Sequence, residues 1–172
     1  TDVLLKNGAA HVYAIDVGYG QLDWKLRNDP RVTVMERTNA RYLKAEDLPL
    51  RPTLGVMDVS FISITKILPA AAQIMGEDGA FISLIKPQFE AVSNGIMVGY
   101  LLTLNPVCGI TGLAVAMLLG WAAQALSFSP IRGPEGNIEF LVHILPAGRA
   151  THHVTQQEID AVVAAAHESL HD

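Results

Sequence analysis

Residues Leu54–Thr65 read LGVMDVSFISIT, a short apolar run from Leu54 to Met57 that stops on Asp58 with small polar residues behind it. An apolar run of this length bounded by turn signals predicts a strand buried on both faces. In open α/β sheets the ligand crevice lies beyond the carboxyl ends of such strands, which puts Asp58 at the rim of a site. Working outward, FISLIKPQF delivers Lys86 at the end of a second strand and GNIEFLVHI carries Glu139 on a third. Two acids and a lysine from separate strands of one sheet can meet on one substrate.

The rest of the chain fits that frame. His11–Val17 reads as a strand ending on Asp16, Tyr19–Asn28 as a helix halted by Pro30, and Arg31–Glu36 as the next strand. Thr1–Ala10 resembles a helix tail stopped by Gly8, with Leu4 and Leu5 inward. Glu46–Pro49 falls in a connection, Ile62–Met75 is an amphipathic helix kinked or delayed by Pro69, and Gly79–Lys86 is a strand. Strands alternating with helices predict an α/β, doubly wound, mostly parallel sheet. Ala125–Ile131 and Asn137–Leu145 predict an antiparallel pair around RGPEG. Thr155 and Glu158 form a capping-box pattern, and Ile159, Val162, Val163, Ala166 and Leu170 then share one helical face.

Composition excludes several function classes. The 172 residues are half apolar and only 17% charged, which is a globular core and not a disordered chain. A net charge of −5 gives no bulk attraction to nucleic acid, so RNA binding requires a local patch or another domain. Cys108 is a lone cysteine, and His11, His143, His152, His153, His167 and His171 lack metal-ligand spacing, so no metal is expected. No signal peptide opens the chain, and a cytoplasmic location is expected. Thr1 is not an initiator residue, which suggests a fragment of a longer protein.

Ala91–Ile131 carries no charge. Within it, the apolar Leu101–Leu126 approaches the length of a membrane span, but Asn105, Pro106, Gly109, Gly112 and Gly120 interrupt it. A helix over Leu113–Ala125, packed on the sheet or on a second copy of the chain, is the expectation.

Gly18-Tyr19-Gly20 after a strand, with Glu36 sixteen residues past Gly20, approximates a dinucleotide site. Asp23 stands where the third glycine belongs, and its charge would meet a pyrophosphate, which disfavours a nicotinamide. Asp16 fits better as an acid accepting two ribose hydroxyls, with a turn-capping role as the bland alternative. Lys86, extended by Pro87, is aimed by its strand, and a lysine there needs partners such as Asp58 and Glu139.

HVYAIDVGYGQLDWKLRNDPRV, ERTNARYL, MDVSFIS, LIKPQFEA and SPIRGPEGNIEFL closely resemble the hemolysin-A-like (TlyA) family of ribosomal RNA methyltransferases, relatives of the FtsJ-type 2′-O-methyltransferases. The resemblance covers most of residues 1–90 and 127–170. It implies a Rossmann-like methyltransferase sheet with one antiparallel strand, S-adenosylmethionine as cofactor, and ribosomal RNA or a ribosomal subunit as partner. The related enzymes use a Lys-Asp-Lys-Glu tetrad, and Asp58, Lys86 and Glu139 match its last three members. Asp16 matches the ribose-binding acid, Glu36 and Asn39 lie where adenine is bound, and Asp58 borders the cofactor as well.

Two departures accompany the match. The family's first strand, glycine-rich loop, first tetrad lysine and small RNA-binding domain would all lie before Thr1, so residues 1–172 read as a single methyltransferase-like domain. Ser93–Gln124 is apolar where family members are charged and glycine-rich. An inactive RNA- or ligand-binding module and a membrane-acting hemolysin are the alternatives; homo-oligomerisation through 101–126 is a further expectation.

Overall fold

The computed structural model describes residues 1–87, 89–90, 119–133 and 136–170. The chain forms two compact units, Thr1–Leu43 and Lys44–Asp172. In the first, α1 (Asp2–Lys6) is followed by β1 (Val12–Ile15), α2 (Trp24–Arg27) and β2 (Val32–Met35). β1 and β2 pair in parallel, Val12 opposite Val32 and Ile15 opposite Met35. Gly8 ends the first helical segment with a φ of 90°, where a side chain would be strained. The helix expected over Tyr19–Asn28 is only α2. Asp23 is its N-cap and accepts from the Lys25 N–H, so an extended loop leads into it from β1.

The second unit contains β3 (Leu54–Met57), α3 (Leu68–Met75), β4 (Ala80–Ile85), β5 (Trp121–Phe128), β6 (Phe140–Pro146) and α4 (Gln156–Ser169). Its sheet order is β3-β4-β6-β5. β3 and β4 are parallel, whereas β6 runs antiparallel to both β4 and β5. One strand is therefore reversed in an otherwise parallel sheet. β6 lies inside the sheet between β4 and β5, and its Val142 and Ile144 are completely buried. Phe81 and Trp121 stack at 5.2 Å beside it.

β3 occupies the predicted residues, but it is not buried on both faces: Leu54 and Val56 are exposed. β3 ends its sheet, and edge position is a property of topology that no local run of residues encodes. On the other face Gly55 lies opposite Phe81, and a Cβ there would stand 2.4 Å from the phenyl ring. α3 starts late, as Pro69 requires, after a 3-10 turn at Ile64–Lys66. Arg51 then donates to the Met75 carbonyl at its C-terminus.

The helix expected over Leu113–Ala125 is overturned where it can be seen. Residues 113–118 lie outside the described residues, and Trp121–Ala125 opens β5. Its alanines and leucine favour a helix locally, but pairing along β6, Trp121 opposite Pro146 and Ala123 opposite Ile144, decides otherwise. A register shift between Ala123 and Ala125 bulges Gln124 outward. Its Oε1 accepts from the Thr151 and His152 N–H groups ahead of α4. α4 carries the expected capping box between Thr155 and Glu158, with Ile159 and Ala166 buried.

Candidate active site

Asp58 follows β3, Lys86 follows β4 and Glu139 precedes β6. Because β6 is antiparallel, its start lies level with the end of β4: Ile85 pairs with Phe140. That register brings the three side chains together. Lys86 Nζ is 2.7 Å from Asp58 Oδ1 and 3.6 Å from Glu139 Oε1. It also donates to Ser60 Oγ at 3.2 Å. The Lys86 and Glu139 side chains are 12% and 13% exposed, whereas that of Asp58 is 63% exposed. The lysine is thus sheltered from solvent while one of its carboxylates faces it.

Burial alone would lower the Lys86 pKa. Hydrogen bonds and charges from Asp58 and Glu139 outweigh it, and the ammonium is held above its ordinary value. Lys86 is therefore a charged hydrogen-bond donor at neutral pH.

Gly133 makes the Glu139 position available. A Cβ at 133 would lie 2.8 Å from Glu139 Oε1. Its N–H donates to the Asn137 carbonyl, which fixes the loop close to the acid. Gly133→Ala is expected to swing the flexible carboxylate away from Lys86. Lys86 titration followed by NMR should show a lower pKa with little change in melting temperature; an unchanged Lys86 pKa would mean that Glu139 does not need this space.

The other predicted site residues belong to the first unit. Asp16 directly follows β1, and its Oδ1 accepts from the Gly18 N–H at 2.6 Å. One carboxylate oxygen therefore closes an Asx turn. Glu36 follows β2 and is committed more heavily. Its Oε1 accepts from the Gly20 N–H at 2.8 Å and pairs with Arg27. Burial raises its pKa, but the Arg27 bond and the loop N–H groups lower it further, and the net direction is down. Asn39 uses its side-chain oxygen to accept from the Arg41 N–H, leaving the carboxamide nitrogen as its donor.

Several neighbours of these residues escaped the sequence reading. Ser60 was visible only as one of the small polar residues behind Asp58. Phe61, 88% exposed, has a φ of 62°, an uncommon backbone for a bulky residue. Its ring lies 4.9 Å from that of Phe89. In the first unit Arg37, with a φ of 52°, sets its guanidinium 4.7 Å over the Tyr19 ring. No residue pattern announces a positive φ at Phe or Arg.

The family model described as FtsJ-like methyltransferase matches residues 1–144. The chain belongs to this family. It is 46% identical over 145 residues to the 16S/23S rRNA (cytidine-2'-O)-methyltransferase TlyA of Mycobacterium tuberculosis, covering 83% of this chain and 54% of that protein. Identity to Hemolysin A of Brachyspira hyodysenteriae is 41% over 149 residues, covering 84% of this chain and 62% of that one. A solved structure described as a hemolysin from Streptococcus thermophilus superposes with a TM-score of 0.85 at 42% identity, over 98% of this chain and 62% of that chain. This FtsJ-like chain thus spans about half the length of the mycobacterial relative. Among its described residues no helix is long and apolar enough to cross a membrane. Nor do any of their His, Cys, Asp and Glu side chains form a group that could hold a metal ion.

Proposed function

We propose that this FtsJ-like protein transfers a methyl group from S-adenosylmethionine to a ribose 2′-hydroxyl of ribosomal RNA. The observation that carries the reading is the sheltered Lys86 ammonium between Asp58 and Glu139. Family membership and the relative named as an rRNA (cytidine-2'-O)-methyltransferase supply the reaction class.

A ribose hydroxyl is a poor nucleophile at neutral pH, so the protein's task is alignment and proton management. Bound S-adenosylmethionine supplies a methyl group already activated by its sulfonium sulfur. Lys86, charged and aimed by β4, donates to the hydroxyl oxygen and fixes its direction. Asp58 and Glu139 hold the ammonium in place and in its charged form. The hydroxyl proton becomes strongly acidic as the oxygen–carbon bond forms, and it leaves to a carboxylate or to water.

The donor set of the first unit suits this cofactor. Asp16 is an exposed carboxylate at a strand end, the group that a vicinal ribose diol needs. Glu36 contributes by holding the Gly18–Gly20 loop through the Gly20 N–H, and Asn39 by offering its carboxamide nitrogen to an adenine edge. Asp58, exposed beyond β3, stays with Lys86, 2.7 Å from its ammonium.

Phe61 supports a nucleic-acid substrate. An exposed ring, braced by Phe89 and three residues from Asp58, is a stacking surface for a base. Phe61→Leu keeps an apolar side chain but loses the π-face. It should weaken RNA binding by about 1 kcal/mol, the low end of base–aromatic stacking, with cofactor affinity unchanged. Unaltered RNA affinity in a filter-binding titration would remove Phe61 from the substrate surface.

The overall test combines calorimetric titration of S-adenosylmethionine with methyl incorporation into ribosomal RNA by the full-length protein. A methylated 2′-oxygen blocks alkaline cleavage at its phosphodiester, so the product is diagnosed chemically. Cofactor binding without any alkali-resistant site would overturn the ribose assignment.

A further inference from the structure

Glu90 is the one buried ionisable side chain among the described residues, only 2% exposed. It sits one helical turn beyond Lys86, with its N–H donating to the Lys86 carbonyl at 3.2 Å. Its carboxyl group crosses to the segment that follows β3. Oε1 accepts from the Ile64 N–H at 2.8 Å, and Oε2 accepts from the Ser63 hydroxyl. Ser63 in turn caps the 3-10 turn, accepting from the Thr65 N–H at 3.1 Å and meeting Thr65 Oγ1 at 2.7 Å.

The position of this link gives it a role. The β3–β4 ladder pairs its last residues at Met57 and Ser83, just short of Asp58 and Lys86. Beyond that point the strands no longer fix one segment against the other. The segment 58–65 carries Asp58 and Ser60; the segment 86–90 carries Lys86. Glu90 ties the two together through Ser63 and Ile64.

We propose that Glu90 is a positioning residue whose hydrogen bonds to Ser63 and Ile64 set the separation of Asp58 and Lys86 in the active site. The proposal rests on the methyltransferase reading above. It also explains why a carboxyl group is kept in the interior, where burial raises its pKa and an apolar side chain of similar size would cost less. Geometry is what the group supplies. A Gln at 90 can satisfy both partners, its carbonyl oxygen accepting from Ile64 and its amide donating to the Ser63 oxygen. A Leu leaves the Ile64 N–H and the Ser63 hydroxyl without those bonds.

The experiment compares Glu90→Gln, Glu90→Leu and Ser63→Ala in the full-length protein, with Ile159→Ala in α4 as a remote destabilised control. Melting temperature, methyl-transfer kinetics and Lys86 titration by 13Cε NMR are read on each. Glu90→Gln should keep kcat within about threefold and leave the Lys86 titration unchanged. Glu90→Leu should lower kcat by about tenfold or more, with the KM for S-adenosylmethionine little changed, since displacement of a reacting group falls on the chemical step. Its Lys86 pKa should fall toward the ordinary lysine value as Asp58 departs. Ser63→Ala, which deletes the bond to Oε2 and keeps the one from the Ile64 N–H, should shift both readouts in the same direction by less, and stands in if the leucine variant does not fold. Ile159→Ala should lower the melting temperature without moving the Lys86 titration.

A wild-type Lys86 titration in folded Glu90→Leu or in Ser63→Ala would overturn the clamp. So would a glutamine variant as damaged as the leucine one, since charge would then be the requirement. Absence of methyl transfer in the wild type would count against the functional reading alone, because the NMR titration judges the clamp without it.

Discussion

Lys86→Ala should abolish methylation of ribosomal RNA by the full-length protein while its affinity for S-adenosylmethionine stays nearly unchanged. Lys86 follows β4, and its ammonium lies within 4 Å of carboxylate oxygens of both Asp58 and Glu139. Deleting it leaves two carboxylates and a serine to meet the incoming hydroxyl, and none of them can stabilise negative charge on oxygen as a cation does. The loss should be about 10²–10³-fold in kcat, the range for removing one positioned donor to developing negative charge. Arg and Gln should not rescue. Arg is longer and forks its charge, so it cannot place one ammonium between the two carboxylates, and Gln has no charge to offer.

The pH sign follows from the direction of the Lys86 shift. A lysine whose folded pKa is raised contributes stability that is complete below its ordinary value of 10.5. That contribution disappears only as pH rises through the raised folded value. Unfolding of wild type and Lys86→Ala should therefore diverge least at strongly alkaline pH. Near-normal turnover of Lys86→Ala, by contrast, would make the lysine structural and the site assignment wrong.

How much of this was legible in the sequence depends on how far each feature reaches. Strand ends marked by an apolar run and then a polar residue are local, and Asp16, Asp58 and Lys86 all stand where those runs place them. The bonds that Gly133 makes with Asn137 and Gly136, and the cap of α4, are also local chemistry. β5 was not legible along its first half, because Trp121–Ala125 has helical preferences and becomes a strand only through its pairing with β6. The exposure of Leu54 and Val56 escaped for the same kind of reason: sheet order, not composition, put β3 at an edge. Within the site, Ser60 and Glu90 acquire meaning only from through-space partners. Glu90 ends the KPQFE run, yet nothing in that run says that it turns inward to Ser63.

Asp16→Ala should weaken S-adenosylmethionine binding by about 1–3 kcal/mol, the usual cost of leaving the partners of a charged hydrogen bond unpaired. The backbone around Asp16 is fixed on both sides: its N–H donates to the Met35 carbonyl at 3.0 Å, and its carbonyl accepts from the Thr38 N–H at 2.9 Å. The carboxylate is thus aimed by β1 and β2. Removing it should change contacts to the ribose without moving the strands. Because Oδ1 also closes the turn to Gly18, an alanine alone could act through the turn. Asp16→Asn separates the two roles. An asparagine oxygen can still accept from the Gly18 N–H, but its amide replaces the second acceptor that a vicinal diol requires. If Asp16 binds ribose, the asparagine variant should lose nearly as much cofactor affinity as the alanine variant while keeping the wild-type melting temperature. If Asp16 only caps the turn, the asparagine variant should bind like wild type and the alanine variant should mainly lower stability. Calorimetric titration of both variants beside thermal melts decides between these outcomes. Lys86→Ala is the matched control, since that substitution should leave the same binding isotherm untouched.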